Sequence, residues 1–411
     1  IFGSRSAVSR QPHSDGQPIV GLATLISPPV MKGLLLLLAL SVHASSAHAE
    51  VYLSGDGNSK TSAAAHTSKQ DQRIIGGYGD YRYQYMPHLL ELPAGTKMVN
   101  AHGLVVDADH NIYLTYVNDH KVDPDRCLIR WRPDGTGGED MLGGGSALCR
   151  GTPHGLKIAK EWNATSGGSE QFLYHTNNDK MLTKTTLDGT IVWQRRGHFG
   201  QDPKSPYRPT NFAIPPDSRF IYLCDGYASN NVYVFDRYTG TFMNRTFGGR
   251  GGRDQHGKFS TNHGCTYDPR VGKIAVSDRV NSRIEYFDYD PLTPDRFEYS
   301  HTVDMRPSMG EKTLPCNLRV YPEQQAISIM PDLNGPTSIL DSGNRVVSVV
   351  NVSVLLAAEK HLHPHDAVLL PNGDLVVATW NPGRIGYWKR LPPGDSLDSD
   401  SALIGESVIL L

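Results

Sequence analysis

The chain has 411 residues, with 40 basic and 42 acidic side chains and a formal charge of −2. Such an even balance creates no long-range field for a polyanion, so no nucleic-acid partner is expected. Forty-one glycines and 27 prolines fit a turn-rich chain, and the length allows either several average domains or one large ring.

Residues 1–30 contain no Met and no clear pattern, and are expected to lie upstream of the mature protein. From Met31 to Leu40 a basic residue is followed by a short apolar core, and then comes Ala47-His48-Ala49. Residues 31–49 therefore read as a signal peptide cut after Ala49. The apolar run is well short of the roughly 20 residues that a spanning helix needs, so no membrane span is expected. A secreted or secretory-pathway glycoprotein is the corresponding expectation, and Asn163, Asn244 and Asn351 each open a glycosylation sequon.

Residues 50–80 are rich in Ser, Gly and Lys and read as a flexible linker. Within them Arg73-Ile-Ile-Gly-Gly77 imitates a serine-protease activation site, but no matching nucleophile turn follows. The aromatic and aliphatic stretch from Tyr81 to Leu92 is expected to supply an outer strand that closes a ring onto its last element and removes an open sheet edge. Residues 391–411 are Pro/Ser/Asp-rich and then briefly apolar, and read as a C-terminal tail.

Residues 81–390 are organised by one phrase used six times. It reads Ala101-His102-Gly103-Leu104, Pro153-His154-Gly155-Leu156, Pro209-Thr210-Asn211-Phe212, Asn262-His263-Gly264-Cys265, Pro315-Cys316-Asn317-Leu318 and Pro364-His365-Asp366-Ala367. The interval is about fifty residues, a period of propellers and solenoids. Apolar residues follow most markers, then a turn such as Pro371-Asn372-Gly373, then a second β-rich run such as Leu375-Val376-Val377. That is a strand–turn–strand opening a four-stranded sheet. The fold class is therefore all-β, a six-bladed β-propeller with NHL-type repeats.

The marker is histidine in blades 1, 2, 4 and 6 and asparagine in blades 3 and 5. Blades 2, 4 and 6 are related by a three-fold rotation. If the phrase opens the innermost strand, His154, His263 and His365 face the central channel at one height, a natural metal site for zinc. His102 is expected nearby but outside this set. Singly, each histidine is more simply a strand-entry residue bonded to backbone; the three-fold repetition favours the metal. In blade 3, Asp225-Gly226-Tyr227 follows the second strand, and in blade 4, Asp278-Arg279 does. The two aspartates suit turns. Because the second strand runs back toward the markers, Tyr227 and Arg279 are expected to overhang the metal.

From Pro209 to Asp288 the sequence resembles the lyase module of peptidylglycine α-amidating enzymes, and the likeness extends over most of the propeller. It rests on Pro209-Thr210, Asp225-Gly226-Tyr227, the run from Gly257 and Phe259 to His263, the run from Ser277 to Ile284, and the Pro-His-Gly-Leu and Pro-His-Asp phrases at 153–156 and 364–366. The resemblance implies zinc held by His154, His263 and His365, with Tyr227 and Arg279 catalytic. It also implies a calcium ion in the channel, bound by Asp366 and the backbone carbonyl of Leu156. The substrate would be a small peptide ending in α-hydroxyglycine, or a related carbinolamide. A carbon–nitrogen lyase would cleave its N–C bond to give an amide and glyoxylate. Zinc would acidify the carbinol hydroxyl, tyrosine would act as base, and a guanidinium would grip the carboxylate.

The sequence departs from that family in blade 1, where Val117 stands in place of an active-site arginine, with Lys121 and Arg126 nearby. It departs again at Ala228, which replaces a cysteine beside the active-site tyrosine. A non-catalytic secreted propeller that binds a peptide, glycan or protein is the competing reading, and a lactonase-like hydrolase fits three histidines poorly. A monomer is expected. Of the five cysteines, Cys127 and Cys149 flank one hairpin-sized stretch of blade 1 and are the expected disulfide, which secretion permits.

Overall fold

The computed structural model describes residues 73–119, 123–163, 166–197 and 206–393. The spans read as an upstream segment and a signal peptide, most of the span read as linker and nearly all of the span read as a C-terminal tail lie outside the described residues, as do Lys121 and the Asn163 side chain. Among the described residues no helix is long and apolar enough to cross a membrane.

Six antiparallel sheets follow one another along the chain. Their innermost strands are Met98–Val106, Pro153–Asn163, Asn211–Ala213, Asn262–Asp268, Arg319–Tyr321 and Pro364–Leu369. Each packs beside the next, and Pro364–Leu369 packs back against Met98–Val106, so the ring is closed. It is a six-bladed β-propeller. Tyr81–Tyr85 pairs with Arg384–Arg390, the third strand of the last blade, and supplies that blade's fourth strand from the N-terminal side. Ile75–Tyr78 then pairs with Tyr81–Tyr85 as a fifth strand, so the end of the span read as linker is part of a sheet.

The strands hold because each blade has two apolar faces. Successive side chains of a strand point to opposite faces, and here both faces meet a neighbouring blade. In Lys273–Asp278, Ile274 and Val276 join the cluster shared with blade 3, whereas Ala275 joins the one shared with blade 5. In Leu375–Thr379, Leu375 and Val377 face blade 5, and Val376 and Ala378 face blade 1. Six apolar clusters thus fill the six blade interfaces. Each fully buried aliphatic side chain contributes about 1.5–3 kcal/mol, which explains why these short strands read as unbroken apolar runs rather than alternating ones.

Cys127 and Cys149 are joined by a disulfide, with Cα atoms 5.2 Å apart, on the outer part of blade 1. Cys224, Cys265 and Cys316 are free and buried. Of the sequon asparagines, Asn244 is exposed and Asn351 is half-buried.

Candidate metal centre

Each marker histidine sits at a break in strand pairing. The register between first and second strands shifts between Ala101 and Leu104, Pro153 and Leu156, Asn262 and Gly264, and Pro364 and Asp366. These are the four histidine blades. In blade 3, by contrast, Asn211 and Phe212 pair with Cys224 and Leu223 without a shift. A bulge gives one strand an extra residue and re-aims a side chain, and here it accompanies each imidazole that reaches the channel. The glycine after the histidine has a separate cause. A Cβ on Gly103 would lie 2.5 Å from the Leu156 nitrogen, and one on Gly264 would lie 2.7 Å from the Cys316 oxygen. The next blade's backbone needs that space.

His154, His263 and His365 converge as a triangle, with ring centroids 5.0, 4.7 and 4.7 Å apart. All three are buried. His154 Nδ1 lies 2.7 Å from the Thr210 carbonyl oxygen, and His263 Nδ1 lies 2.7 Å from that of Cys316. A carbonyl only accepts, so both Nδ1 atoms carry the hydrogen and both Nε2 atoms present lone pairs, the arrangement of a metal-ligating histidine. Those Nε2 atoms lie 3.2 and 2.9 Å from the Tyr227 hydroxyl. That hydroxyl has one proton and cannot donate to both. Both nitrogens of His365 are buried with no hydrogen-bond partner among the described residues.

Burial keeps the cluster neutral. It pushes His154 down to about 3, with the nearby Arg279 charge adding to the effect and the Thr210 bond opposing it. Burial, together with neighbouring imidazoles and Arg279, likewise holds His263 and His365 well below the ordinary range. Neutral imidazoles this close, with more Nε2 lone pairs than the one Tyr227 proton can satisfy, suit a divalent cation such as zinc, although the donor atoms that lie within 4.8 Å of one another belong to His102, His154 and His365 and not to His263. Tyr227 and Arg279 stand at the same place. Arg279 Nη1 is 3.4 Å from the Tyr227 hydroxyl, and its guanidinium lies 5.3 Å from the ring centroid. Burial raises the Tyr227 phenol while Arg279 pulls it down. Asp225 and Asp278 act as turn formers: Asp225 accepts from the Arg208 and Ser229 backbones, and Asp278 accepts from that of Ser260 and from Asn281 and Arg283.

Two neighbours complete the surroundings, one of them expected nearby. His102 was set outside the histidine set, yet its ring is 4.6 Å from His154 and 4.7 Å from His365, and donor atoms of His102, His154 and His365 all lie within 4.8 Å of one another. The repeated marker was the available signal. Cys316, at the marker of blade 5, holds His263 through its carbonyl, and its thiol is pushed up to about 12 by burial against an opposing Arg279.

The residues do not fit the calcium ion that the resemblance implied. Arg319 reaches into that position. Its Nη2 lies 2.5 Å from both the Leu104 carbonyl oxygen and Asp366 Oδ2, and 3.2 Å from the Leu156 carbonyl oxygen; its Nε lies 3.2 Å from Asp366 Oδ1. Asp366 also accepts from Asn317 and from the Leu104 backbone. Burial, with the Arg319 charge adding to it, pushes the buried Lys157 down to about 7. The oxygen ligands are taken by a guanidinium, and a second cation has no place there.

Blade 1 offers no replacement for the missing arginine among the described residues. Val117 pairs with Asn100, and Arg126 is tied to Asp123 and Asp140.

No protein-family model matches this chain. A 142-residue stretch is 27% identical to the peptidyl-glycine alpha-amidating monooxygenase of Mus musculus and 29% identical to that of Rattus norvegicus, covering 34% of this chain. The chain spans 14% of the length of these curated relatives. Among solved structures, a gluconolactonase from Xanthomonas campestris superposes with a TM-score of 0.49 at 14% identity, covering 77% of this chain and 91% of that one. Virginiamycin B lyase from Staphylococcus aureus superposes with a TM-score of 0.46 at 10% identity, covering 78% of this chain and 100% of that one. Weak homology to the amidating monooxygenases and six sheets in a ring support an NHL-like propeller.

Proposed function

We propose that this propeller is a secreted zinc-dependent carbon–nitrogen lyase that acts on α-hydroxyglycine peptides or a related carbinolamide. The observation that carries the reading is the meeting of the Tyr227 hydroxyl with two imidazole Nε2 atoms and the Arg279 guanidinium in one buried channel end. His154, His263 and His365 would hold the metal. When bound, zinc supplies Lewis acidity that lowers the pKa of a carbinol hydroxyl.

The protein's own groups then have defined tasks. Tyr227 takes or returns a proton at its hydroxyl, with Arg279 offsetting the charge that forms. Arg279 presents a planar fork suited to the substrate carboxylate. In the reaction the hydroxyl oxygen loses its proton, the C–N bond breaks with its electrons moving to nitrogen, and the nitrogen gains a proton. The products are an amide and glyoxylate, so atoms and charge balance without an oxidant.

Val117, in the place of a family arginine, favours the second reading, a propeller that binds a peptide, glycan or protein without chemistry. Incubating zinc-loaded protein with a peptidyl-α-hydroxyglycine and measuring glyoxylate separates the two. Equal release of amide and glyoxylate above the solvent rate, abolished in His263→Ala, supports the lyase. Binding of the peptide without release supports the second reading.

A further inference from the structure

His102 is 1% exposed, and neither of its ring nitrogens has a hydrogen-bond partner among the described residues. Its neighbour His365 is in the same condition. Leaving a buried polar group unsatisfied is costly, and here two such imidazoles stand side by side. A packing role does not explain this. In blades 3 and 5 the place of the histidine is taken by Thr210 and Cys316, and the Thr210 hydroxyl lies 3.2 and 3.0 Å from the Cys224 and Asn262 carbonyl oxygens that can accept from it. The Thr210 side chain is thus satisfied. His102 is not, although its strand carries the same bulge as the other histidine strands. Its ring instead faces His154 and His365, and the donor atoms of the three form a group within 4.8 Å.

We propose that His102 is a fourth imidazole ligand of the metal held by the channel histidines, so that the resting site has no open position and a substrate enters by displacing His102. This rests on the metal reading above and adds a gate to it. Structural zinc sites are closed by four protein ligands, whereas catalytic ones keep a position open. A displaceable fourth histidine lies between the two. Blade 1 is also where the expected arginine is missing, so this blade would present a ligand to the metal instead of a charge to the substrate.

The test uses the full protein, stripped with a chelator and reloaded with zinc or cobalt(II) alone. X-ray absorption of the zinc form should fit an all-imidazole site with His102 counted among the ligands. The visible spectrum of the cobalt form should not change on adding azide. His102→Thr, the residue that blade 3 uses at this position, should lose one imidazole, gain an azide-responsive spectrum and bind metal at least about tenfold more weakly. Thermal melts of the metal-free proteins control for folding. If the variant fails to fold, the imidazole count and azide response of the parent protein decide alone. A three-imidazole, azide-responsive parent, or a variant with unchanged spectrum and affinity, overturns the role of His102 and leaves the metal reading intact. A parent that takes up neither metal overturns both.

Discussion

Replacing Arg319 with Met should turn a calcium-indifferent protein into a calcium-responsive one. Arg319 is the buried partner of Asp366, whose side chain is only 2% exposed. Removing the guanidinium leaves Asp366 with Asn317 Nδ2 at 2.8 Å and the Leu104 backbone nitrogen at 2.9 Å, and no countercharge in direct contact. Breaking a buried pair from one side costs about 3–5 kcal/mol. At roughly 2–4 °C per kcal/mol, the melting temperature should fall on the order of ten degrees. The vacated space would then be faced by a carboxylate and by the carbonyls of Leu104 and Leu156, which are hard oxygen ligands of the kind calcium takes. Circular-dichroism melts in calcium chloride and in a calcium chelator give the readout. The parent protein should melt at the same temperature in both, and Arg319→Met should regain part of its loss in calcium only. A parent melt that rises with calcium, or a variant as stable as the parent, would refute the assignment of Arg319 as the resident cation.

Lys157→Met should stabilise the fold, and more so at low pH. Burial depresses Lys157 to about 7, below its unfolded value of about 10.4. The unfolded chain therefore binds the extra proton between those values, so the parent gains stability as pH rises through that window and carries the full penalty below pH ~7. Melts of parent and variant at pH ~6 and ~10 should show the gap shrinking at the higher value; an equal gap at both would contradict this. Tyr227→Phe should retain bound zinc yet lose at least about 100-fold in glyoxylate release, the lower range for a general acid or base; unchanged turnover would remove Tyr227 from the chemistry. Replacing Cys127 and Cys149 together by Ser should cost about 3 kcal/mol for a loop of this length, read as a lower denaturation midpoint in urea without loss of metal.

The ring was legible because two periods were written in the chain, a marker about every fifty residues and short apolar runs between turns. Closure by Tyr81–Tyr85 followed from the need to cover an open edge. The convergence of His154, His263 and His365 followed from rotational symmetry, and the placement of Tyr227 and Arg279 from strand direction. What escaped the reading depends on register and on distant side chains. Three-fold symmetry set His102 apart from the other markers, but a bulge adds one residue to a strand without any sequence signature of its own, and in blade 1 it brings His102 as close to His154 and His365 as these are to each other. Arg319 follows a marker asparagine by two residues, and only the closed ring brings its guanidinium to Leu104, Leu156 and Asp366, which lie on three other blades. The strand Ile75–Tyr78 was hidden by its glycines, Gly76 and Gly77, which read as linker; Gly76 packs close to Val350, Leu355 and Trp388.

The most direct test of the account is the zinc content of the purified protein after exhaustive dialysis, compared with that of His365→Ala. The account predicts about one tightly held zinc per parent chain, as a buried all-imidazole site requires, and loss of that zinc in the variant with the metal-free fold intact by melting. A parent protein that retains no metal, or a His365→Ala variant that keeps the same zinc as the parent, would contradict it.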